Sequence, residues 1–101
     1  GSAVPAIAVS DSIRMIEAET SKPVNRELLR SVQTPQTFRS HILLPAFNQA
    51  YTHGFTDEAT VVEAYGTEVF LIEGEKSNIK VTTPEDLVLA EALLNERLQN
   101  A

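Results

Sequence analysis

The chain has 101 residues, of which 43% are hydrophobic and 22% are charged, and it contains no cysteine. This length fits one small globular domain or part of a larger one, and the lack of cysteine excludes a disulfide framework and a thiolate metal site. A formal net charge of −6 argues against broad binding to nucleic acid or anionic membranes, although a few basic residues still suffice for a local anion site.

The sequence carries no signal for membrane insertion or export. No apolar run is long enough to span a bilayer, and the N-terminus lacks the basic region and apolar core of a signal peptide. Because the absence of cysteine fits a reducing compartment, we expect a cytoplasmic protein that binds neither nucleic acid nor membrane.

The first third of the chain predicts a strand and a hairpin. Residues 4–9 are apolar and read as a buried strand, with Pro5 near its start or at an edge. Residues 11–17 alternate polar and apolar side chains, as a half-exposed strand does. A turn-like stretch at 19–23 precedes an extended path at 24–26. Together these segments indicate a hairpin that projects from the core.

The next part of the chain predicts a helix. Residues 28–32 return to apolar character, and Pro35 then disfavours helix for the residue before it. A helix is expected over residues 40–51, in which Pro45 should cause a kink or mark the true start. Gly54 is the natural stop.

A second helix and an inner strand are expected after it. Thr56 can cap a helix over residues 57–65, which Gly66 ends. Residues 68–73 are largely apolar on both faces, which indicates an inner strand.

A lysine, Lys80, lies within a short apolar run that leads into a well-marked helix start. Thr83 can cap this helix, Pro84 suits its first turn, and acidic residues follow. A strand end that feeds a helix N-terminus often binds phosphate, but the local pattern alone favours an ordinary strand-end lysine with its ammonium in water. The helix should run from residue 84 to about 99. Its expected core stripe is Leu87, Ala90, Leu94 and Leu98.

The order of elements is strand, hairpin, helix, helix, strand and helix, which predicts an α/β fold. So few core strands are unusual for a complete parallel sheet. We therefore expect residues 1–101 to be the C-terminal portion of a larger α/β domain.

Few side chains in this sequence have an obvious chemical role. His41 and His53 lack partners at metal-ligand spacing, and no glycine-rich phosphate loop is present. The remaining candidates are positive and hydroxyl groups that could hold a phosphate, or that could simply face solvent. These candidates are Ser12, Arg14, Arg26 and Lys80.

Several short segments, taken in order, resemble one enzyme family. They are PAIAVSDSIR at 5–14, VNR at 24–26, QTPQTF at 33–38, TDEA at 56–59, VEA at 62–64 and NIKVTTPEDL at 78–87. On these segments the chain resembles the C-terminal half of the 2-C-methyl-D-erythritol 4-phosphate cytidylyltransferases. The resemblance covers nearly the whole chain.

The resemblance implies an enzyme that transfers CMP from CTP to a polyol phosphate and releases pyrophosphate, in the non-mevalonate route to isoprenoids. It implies a Rossmann-like nucleotidyltransferase domain with a protruding β-arm at about residues 11–30, through which two subunits form a homodimer. It also implies Mg²⁺, with ligands in an N-terminal nucleotide-binding half that this chain lacks. The isolated chain is therefore expected to be inactive.

The resemblance also assigns three site residues. Lys80 is the counterpart of the family lysine near the reacting phosphates, so it is implied to be catalytic. Ser12 and Arg26 are implied to bind the substrate phosphate across the dimer. The chain has Ser12 where threonine is usual and Asn25 where aspartate is frequent, and it has Arg14 in place of lysine.

Two other functions stay open at this point. A ribitol 5-phosphate cytidylyltransferase would share the arm and most of the segments, because these residues do not identify the polyol. A non-catalytic dimerisation module would keep the arm and the core but would not require Lys80 or Arg26.

Overall fold

The structure, a computed structural model, describes residues 1–100 and confirms a mixed α/β fold. This part of the chain forms six strands, three α-helices and one 3₁₀ turn at Arg26–Leu28. The strands are β1 (Ser2–Ala8), β2 (Ile13–Glu17), β3 (Thr20–Val24), β4 (Arg30–Val32), β5 (Thr37–Phe38) and β6 (Leu71–Glu73). The helices are α1 (Ser40–Ala46), α2 (Glu58–Ala64) and α3 (Pro84–Gln99).

Strand β1 lies at the centre of the main sheet and has partners along both edges. β4 and β5 run antiparallel to it, whereas β6 runs parallel to it. Ala6 lies opposite Val32 of β4, and Val4 lies opposite Leu71 of β6. Val4 is fully buried and Ala6 is 7% exposed, so the predicted buried strand is present, but it spans Ser2–Ala8 and not residues 4–9, and its last residue is exposed.

The hydrophobic core forms where α1 packs against α2. Ala46 of α1 and both Val61 and Val62 of α2 are buried there. Partly buried side chains from β5, α1 and two loops surround them, namely Phe38, Ile42, Leu43, Phe55 and Val69. Since β5 pairs with the first residues of β1, this core lies at the opposite end of β1 from the hairpin.

Helix α2 begins one residue later than expected because its cap is Asp57 and not Thr56. The carboxylate of Asp57 accepts a hydrogen bond from the backbone N–H of Thr60 at 2.9 Å, and the Thr60 side chain bonds back to the cap. The prediction of Thr56 as the cap was therefore wrong, since the longer reach of the carboxylate completes this reciprocal pair. The prediction that Gly66 ends the helix is supported by its φ of 105°, which favours glycine.

Helix α1 ends at Ala46, five residues before the predicted end at residue 51. Pro45 lies inside this helix and does not mark its start. Beyond Ala46 the side-chain amide of Gln49 donates to the carbonyls of Ala46, at 2.8 Å, and of Val61, at 2.9 Å. These two bonds tie the chain back towards α2 in place of a further helical turn.

The predicted hairpin is present as a separate two-stranded sheet made of β2 and β3. The turn occupies only Ala18 and Glu19, so the turn-like stretch expected at 19–23 is instead mostly strand β3. Ala18 has a φ of 54°, in the left-handed region that side chains rarely adopt. Met15 and Ile16 are 54% and 79% exposed, so this sheet projects from the core.

Strand β6 and helix α3 are less covered than the sequence predicted. Within residues 1–100 β6 pairs with β1 alone, and Ile72 is half-exposed, so the prediction of an inner strand is wrong for this chain. Helix α3 has the predicted bounds, but the stripe expected in the core is exposed, with Leu87 at 63%, Leu94 at 56% and Leu98 at 65%. An apolar stripe shows that a helix face needs cover, and no described element supplies it. Among the described residues, no helix has the length and apolar character to cross a membrane.

Candidate functional site

The candidate site lies at the carboxyl ends of the parallel strands β1 and β6. Because Ala6 pairs with Glu73 in parallel register, both strands leave the sheet at the same edge. The chain after β1 leads into the hairpin, and the chain after β6 forms the segment 74–82, which contains Lys80. In open α/β sheets this edge is where ligands bind.

The base of the hairpin brings Ser12 and Arg26 together. Ile13 lies opposite Val24, so Ser12 and the residues that follow β3 emerge side by side. The Nη1 of Arg26 donates a hydrogen bond to the carbonyl of Ser10 at 2.8 Å, which holds the guanidinium beside this segment. Both Ser12 and Arg26 are exposed. A hydroxyl and a guanidinium are thus available to an anion at this point.

Arg14 has a different environment from Arg26. Its Nε donates to the hydroxyl of Ser21 at 2.8 Å and its Nη2 donates to the Ser21 carbonyl at 3.2 Å, across the hairpin. The geometry therefore favours the reading of Arg14 as a polar residue of the hairpin surface.

Lys80 is exposed and lies outside any strand. The sequence placed it at a strand end, and this was wrong because β6 ends at Glu73 and the run around Lys80 has no partner strand among residues 1–100. Within those residues its ammonium has no hydrogen bond or ion pair, and no hydrogen bond joins it to the hairpin. The side chain is therefore free to meet a ligand, but within the described residues it makes no hydrogen bond to Ser12 or Arg26.

The segment that carries Lys80 is held in place by a residue that sequence reasoning missed, Gln33. Its Nε2 donates to the carbonyls of Glu75, at 2.7 Å, and Asn78, at 3.0 Å. Its Oε1 accepts from the N–H of Glu75 at 3.2 Å. The Asn78 side chain in turn donates to the carbonyl of Thr34 at 2.7 Å.

Gly74 is what allows this close approach. A Cβ at position 74 would collide with the side-chain oxygen of Gln33 and would lie 3.3 Å from the backbone nitrogen of Ala6. Since more than forty residues separate Gln33 from its partners, local sequence patterns could not have predicted these contacts. The lone glycine directly after a strand was the available signal.

The N-terminus of α3 is satisfied by its own side chains. One oxygen of Asp86 accepts hydrogen bonds from the N–H and the hydroxyl of Thr82, at 3.1 and 2.9 Å, and from the N–H of Thr83 at 3.1 Å. The bond from the Thr82 N–H, followed by the others, lowers the pKa of Asp86 below its ordinary value. The carboxylate therefore engages the two backbone N–H groups that precede α3.

Other basic side chains lie near the same edge. A groove of about 490 Å³ opens along β1 and β6, and Arg30 and Lys76 are among its lining residues. The Nη1 of Arg30 already donates to the carbonyls of Glu27 and Leu29, at 2.9 and 2.7 Å. Lys76 lies in the turn four residues before Lys80, which makes it a useful comparison residue.

The described residues do not fit a divalent metal. No group of three or more histidine, cysteine, aspartate or glutamate side chains among residues 1–100 is arranged to hold one. His41 and His53 accordingly belong to no metal cluster in this part of the chain.

Comparison with known proteins gives consistent matches. A family model described as IspD, 2-C-methyl-D-erythritol 4-phosphate cytidylyltransferase, matches residues 1–96. The chain is 46% identical over 91 residues to a 2-C-methyl-D-erythritol 4-phosphate cytidylyltransferase of Phocaeicola vulgatus. This alignment covers 90% of the chain and 42% of that relative. It is 42% identical over 101 residues to the protein of the same name from Geobacillus thermodenitrificans. This second alignment covers 97% of the chain and 44% of that relative.

A solved structure agrees with these sequence matches. The crystal structure of 2-C-methyl-D-erythritol 4-phosphate cytidylyltransferase from Thermus thermophilus superposes with a TM-score of 0.75 at 40% identity. The match covers 94% of this chain and 48% of that one. The chain thus spans less than half the length of the proteins it matches here.

Proposed function

Since the chain belongs to the 2-C-methyl-D-erythritol 4-phosphate cytidylyltransferase family, we propose that it supplies the C-terminal portion of an enzyme that transfers CMP from CTP to 2-C-methyl-D-erythritol 4-phosphate. The observation that carries this proposal is the family match over residues 1–96. The covered share of the relatives, 42% and 44%, supports a longer whole enzyme. The Rossmann-like nucleotide-binding half would lie in the remaining part, and the enzyme would act in the cytoplasm.

In this reaction an oxygen of the polyol phosphate attacks the α-phosphorus of CTP, and the bond from that phosphorus to the oxygen bridging to the β-phosphate breaks. Pyrophosphate leaves as negative charge builds on the phosphoryl oxygens. The unpaired, exposed ammonium of Lys80 is suited to stabilise this charge. The paired position of Ser12 and Arg26 at the hairpin base is suited to hold the phosphate of the polyol.

The reaction implies Mg²⁺, which would neutralise charge on the triphosphate when bound. The described residues offer no cluster that fits it. We place its ligands in the remaining part of the enzyme and assign it no contact here.

The same proposal includes a homodimer formed through the hairpin. A two-stranded sheet with exposed apolar side chains is marginally stable alone, and Met15 and Ile16 are more than half exposed. Packing against a twofold mate would bury them. Ser12 and Arg26 would then face the Lys80 of the other subunit, which accounts for the lack of contact within one chain.

The test compares two lysines in a full-length enzyme that carries this sequence. With CTP, Mg²⁺ and 2-C-methyl-D-erythritol 4-phosphate, Lys80→Ala should lower kcat/KM by about 10²–10³, the usual cost of one transition-state contact. The matched control Lys76→Ala should stay within about threefold of wild type, and both variants should keep the melting temperature.

Two further arms of this test separate the alternatives. The 101-residue chain alone should release no pyrophosphate above background, and turnover by it would contradict the proposal. Faster turnover with ribitol 5-phosphate than with 2-C-methyl-D-erythritol 4-phosphate would show that ribitol 5-phosphate is the substrate. Activity of Lys80→Ala equal to that of Lys76→Ala would leave Lys80 without a role and would favour a dimerisation module.

A further inference from the structure

We propose that Gln33 is a positioning residue for Lys80, and this inference rests on the catalytic role proposed for that lysine. Gln33 follows β4 directly, on the side of β1 opposite β6. Its side chain nevertheless reaches the segment that leaves β6. The geometry of this reach is specific to a glutamine.

Every polar atom of the Gln33 side chain is directed at one short segment. The Nε2 donates to the Glu75 and Asn78 carbonyls, and the Oε1 accepts from the Glu75 N–H. A carboxylate would place negative charge against two carbonyl oxygens, and a leucine would remove all three bonds. A shorter asparagine could not span the same distance. The residue type is therefore matched to the task of holding this backbone.

The backbone around Lys80 is restrained by hydrogen bonds at one residue before it and one residue after it. On one side, Asn78 is held at its carbonyl by Gln33 and at its side chain by the Thr34 carbonyl. On the other side, Thr83 caps α3 by accepting from the N–H of Asp86 at 3.2 Å. Lys80 lies between these points on a stretch without regular structure of its own. Releasing the Gln33 end would let this stretch move.

Gln36 provides a matched control because it is the same residue type three positions away. It donates to the Asp57 carboxylate at 3.0 Å and accepts from the Ala59 N–H at 3.0 Å, so it serves mainly the start of α2, and its longer bond to the Gln33 backbone, at 3.4 Å, does not involve the Gln33 side chain. No hydrogen bond links it to segment 74–82 within residues 1–100. Its loss should disturb a different part of the molecule.

The first experiment measures amide hydrogen exchange in the full-length enzyme that carries this sequence. Gln33→Leu should speed exchange at the Glu75 amide by about tenfold or more, as expected for the loss of a hydrogen bond of ordinary strength. Gln36→Leu should leave the Glu75 amide unchanged and instead speed exchange at Ala59. Unchanged exchange at Glu75 in Gln33→Leu would overturn the positional role whatever Lys80 does.

A second pair of variants uses the close contact at Gly74. Gly74→Ala should displace Gln33 and also speed exchange at Glu75. In the Gln33→Leu background the same change should have a much smaller effect at Glu75, because the bonds it breaks are already absent. Fully additive effects would contradict the proposed contact.

The third experiment measures turnover in the full-length enzyme. Gln33→Leu should lower kcat about tenfold to a hundredfold, since misplacement by roughly 1 Å has that effect. In a Lys80→Ala background it should cause no further loss, because Gln33 acts through Lys80. An equal loss in both backgrounds would overturn the inference. If Lys80→Ala itself kept full activity, the proposed function would fail while the exchange results stood.

Discussion

At the scale of single residues, two aspartates define where helices α2 and α3 begin. Asp57, the cap of α2, accepts from the backbone N–H of Thr60 in the first turn, whereas Asp86, in the first turn of α3, accepts from the N–H groups of Thr82 and Thr83 just before the helix. Burial works to raise the pKa of Asp57, but bonds from Gln36 and from Thr60 outweigh it, so the pKa lies below the ordinary value of 3.8. Both carboxylates are therefore charged at neutral pH, where they favour the positive helix end.

We predict that Asp57 contributes stability that disappears in acid. Its folded pKa is lowered, so its contribution is complete above the unfolded value of 3.8 and is lost as the pH falls through the folded pKa. At pH 7, Asp57→Ala should reduce the free energy of unfolding by about 1 kcal/mol through loss of the cap. Asp57→Asn should keep most of the cap but lose this pH dependence.

Denaturant unfolding between pH 2.5 and pH 7 measures both effects. The difference in the free energy of unfolding between wild type and Asp57→Asn should be constant above about pH 5 and should become smaller below pH 4. The matched control is Asp11→Asn, at an exposed position without a hydrogen bond in the described residues. It should leave the loss of unfolding free energy below pH 4 the same as in wild type. A gap that widens in acid would contradict the assignment.

At the scale of elements, local signals predicted the helices well and the strands poorly. The capping pattern around Thr83 and Pro84 predicted the bounds of α3, because caps depend on neighbouring residues. β6 was expected to be internal because both its faces are apolar, but the structure provides a partner on one edge only. The Gln33 contacts could not be predicted, since they join β4 to a distant segment.

The hairpin turn gives a prediction at this scale. Ala18 adopts a φ of 54°. In this left-handed region the Cβ of a residue other than glycine causes a steric cost of about 1–2 kcal/mol. Because glycine also loses more backbone entropy, Ala18→Gly should stabilise the hairpin by a net amount of about 0.5–1 kcal/mol. Amides across β2 and β3 should exchange roughly two- to fivefold more slowly.

The control for this change is a second exposed alanine with ordinary geometry. Ala92 lies within α3, so Ala92→Gly should cost about 1 kcal/mol of helix stability and speed exchange there. Faster exchange in the hairpin of Ala18→Gly would mean that the turn does not hold the left-handed conformation in solution.

At the scale of the whole molecule, the chain presents more apolar surface than its own elements can cover. The exposed stripe of α3 and the hairpin both follow this pattern. The sequence predicted the fold class and the hairpin that places Ser12 and Arg26 together. Only the family resemblance implied that they act across a dimer, because within the described residues no hydrogen bond joins Ser12 or Arg26 to Lys80.

A site shared between two subunits is the central claim of the proposed function. In that case the Lys80 of one subunit acts with the Arg26 of its mate. A heterodimer of an Arg26→Ala subunit and a Lys80→Ala subunit then has one site with both defects and one intact site. If each subunit used its own pair, every site would carry one defect.

The most direct measurement is pyrophosphate release after the two full-length variants are mixed and their subunits allowed to exchange. Random exchange makes half of the dimers mixed, each with one intact site, so activity should recover to about a quarter of wild type. Neither variant alone should show such activity, and native mass spectrometry of the mixture measures the fraction of mixed dimers. If subunit exchange is demonstrated and activity stays at the level of the separate variants, Arg26 and Lys80 do not form a site across the dimer.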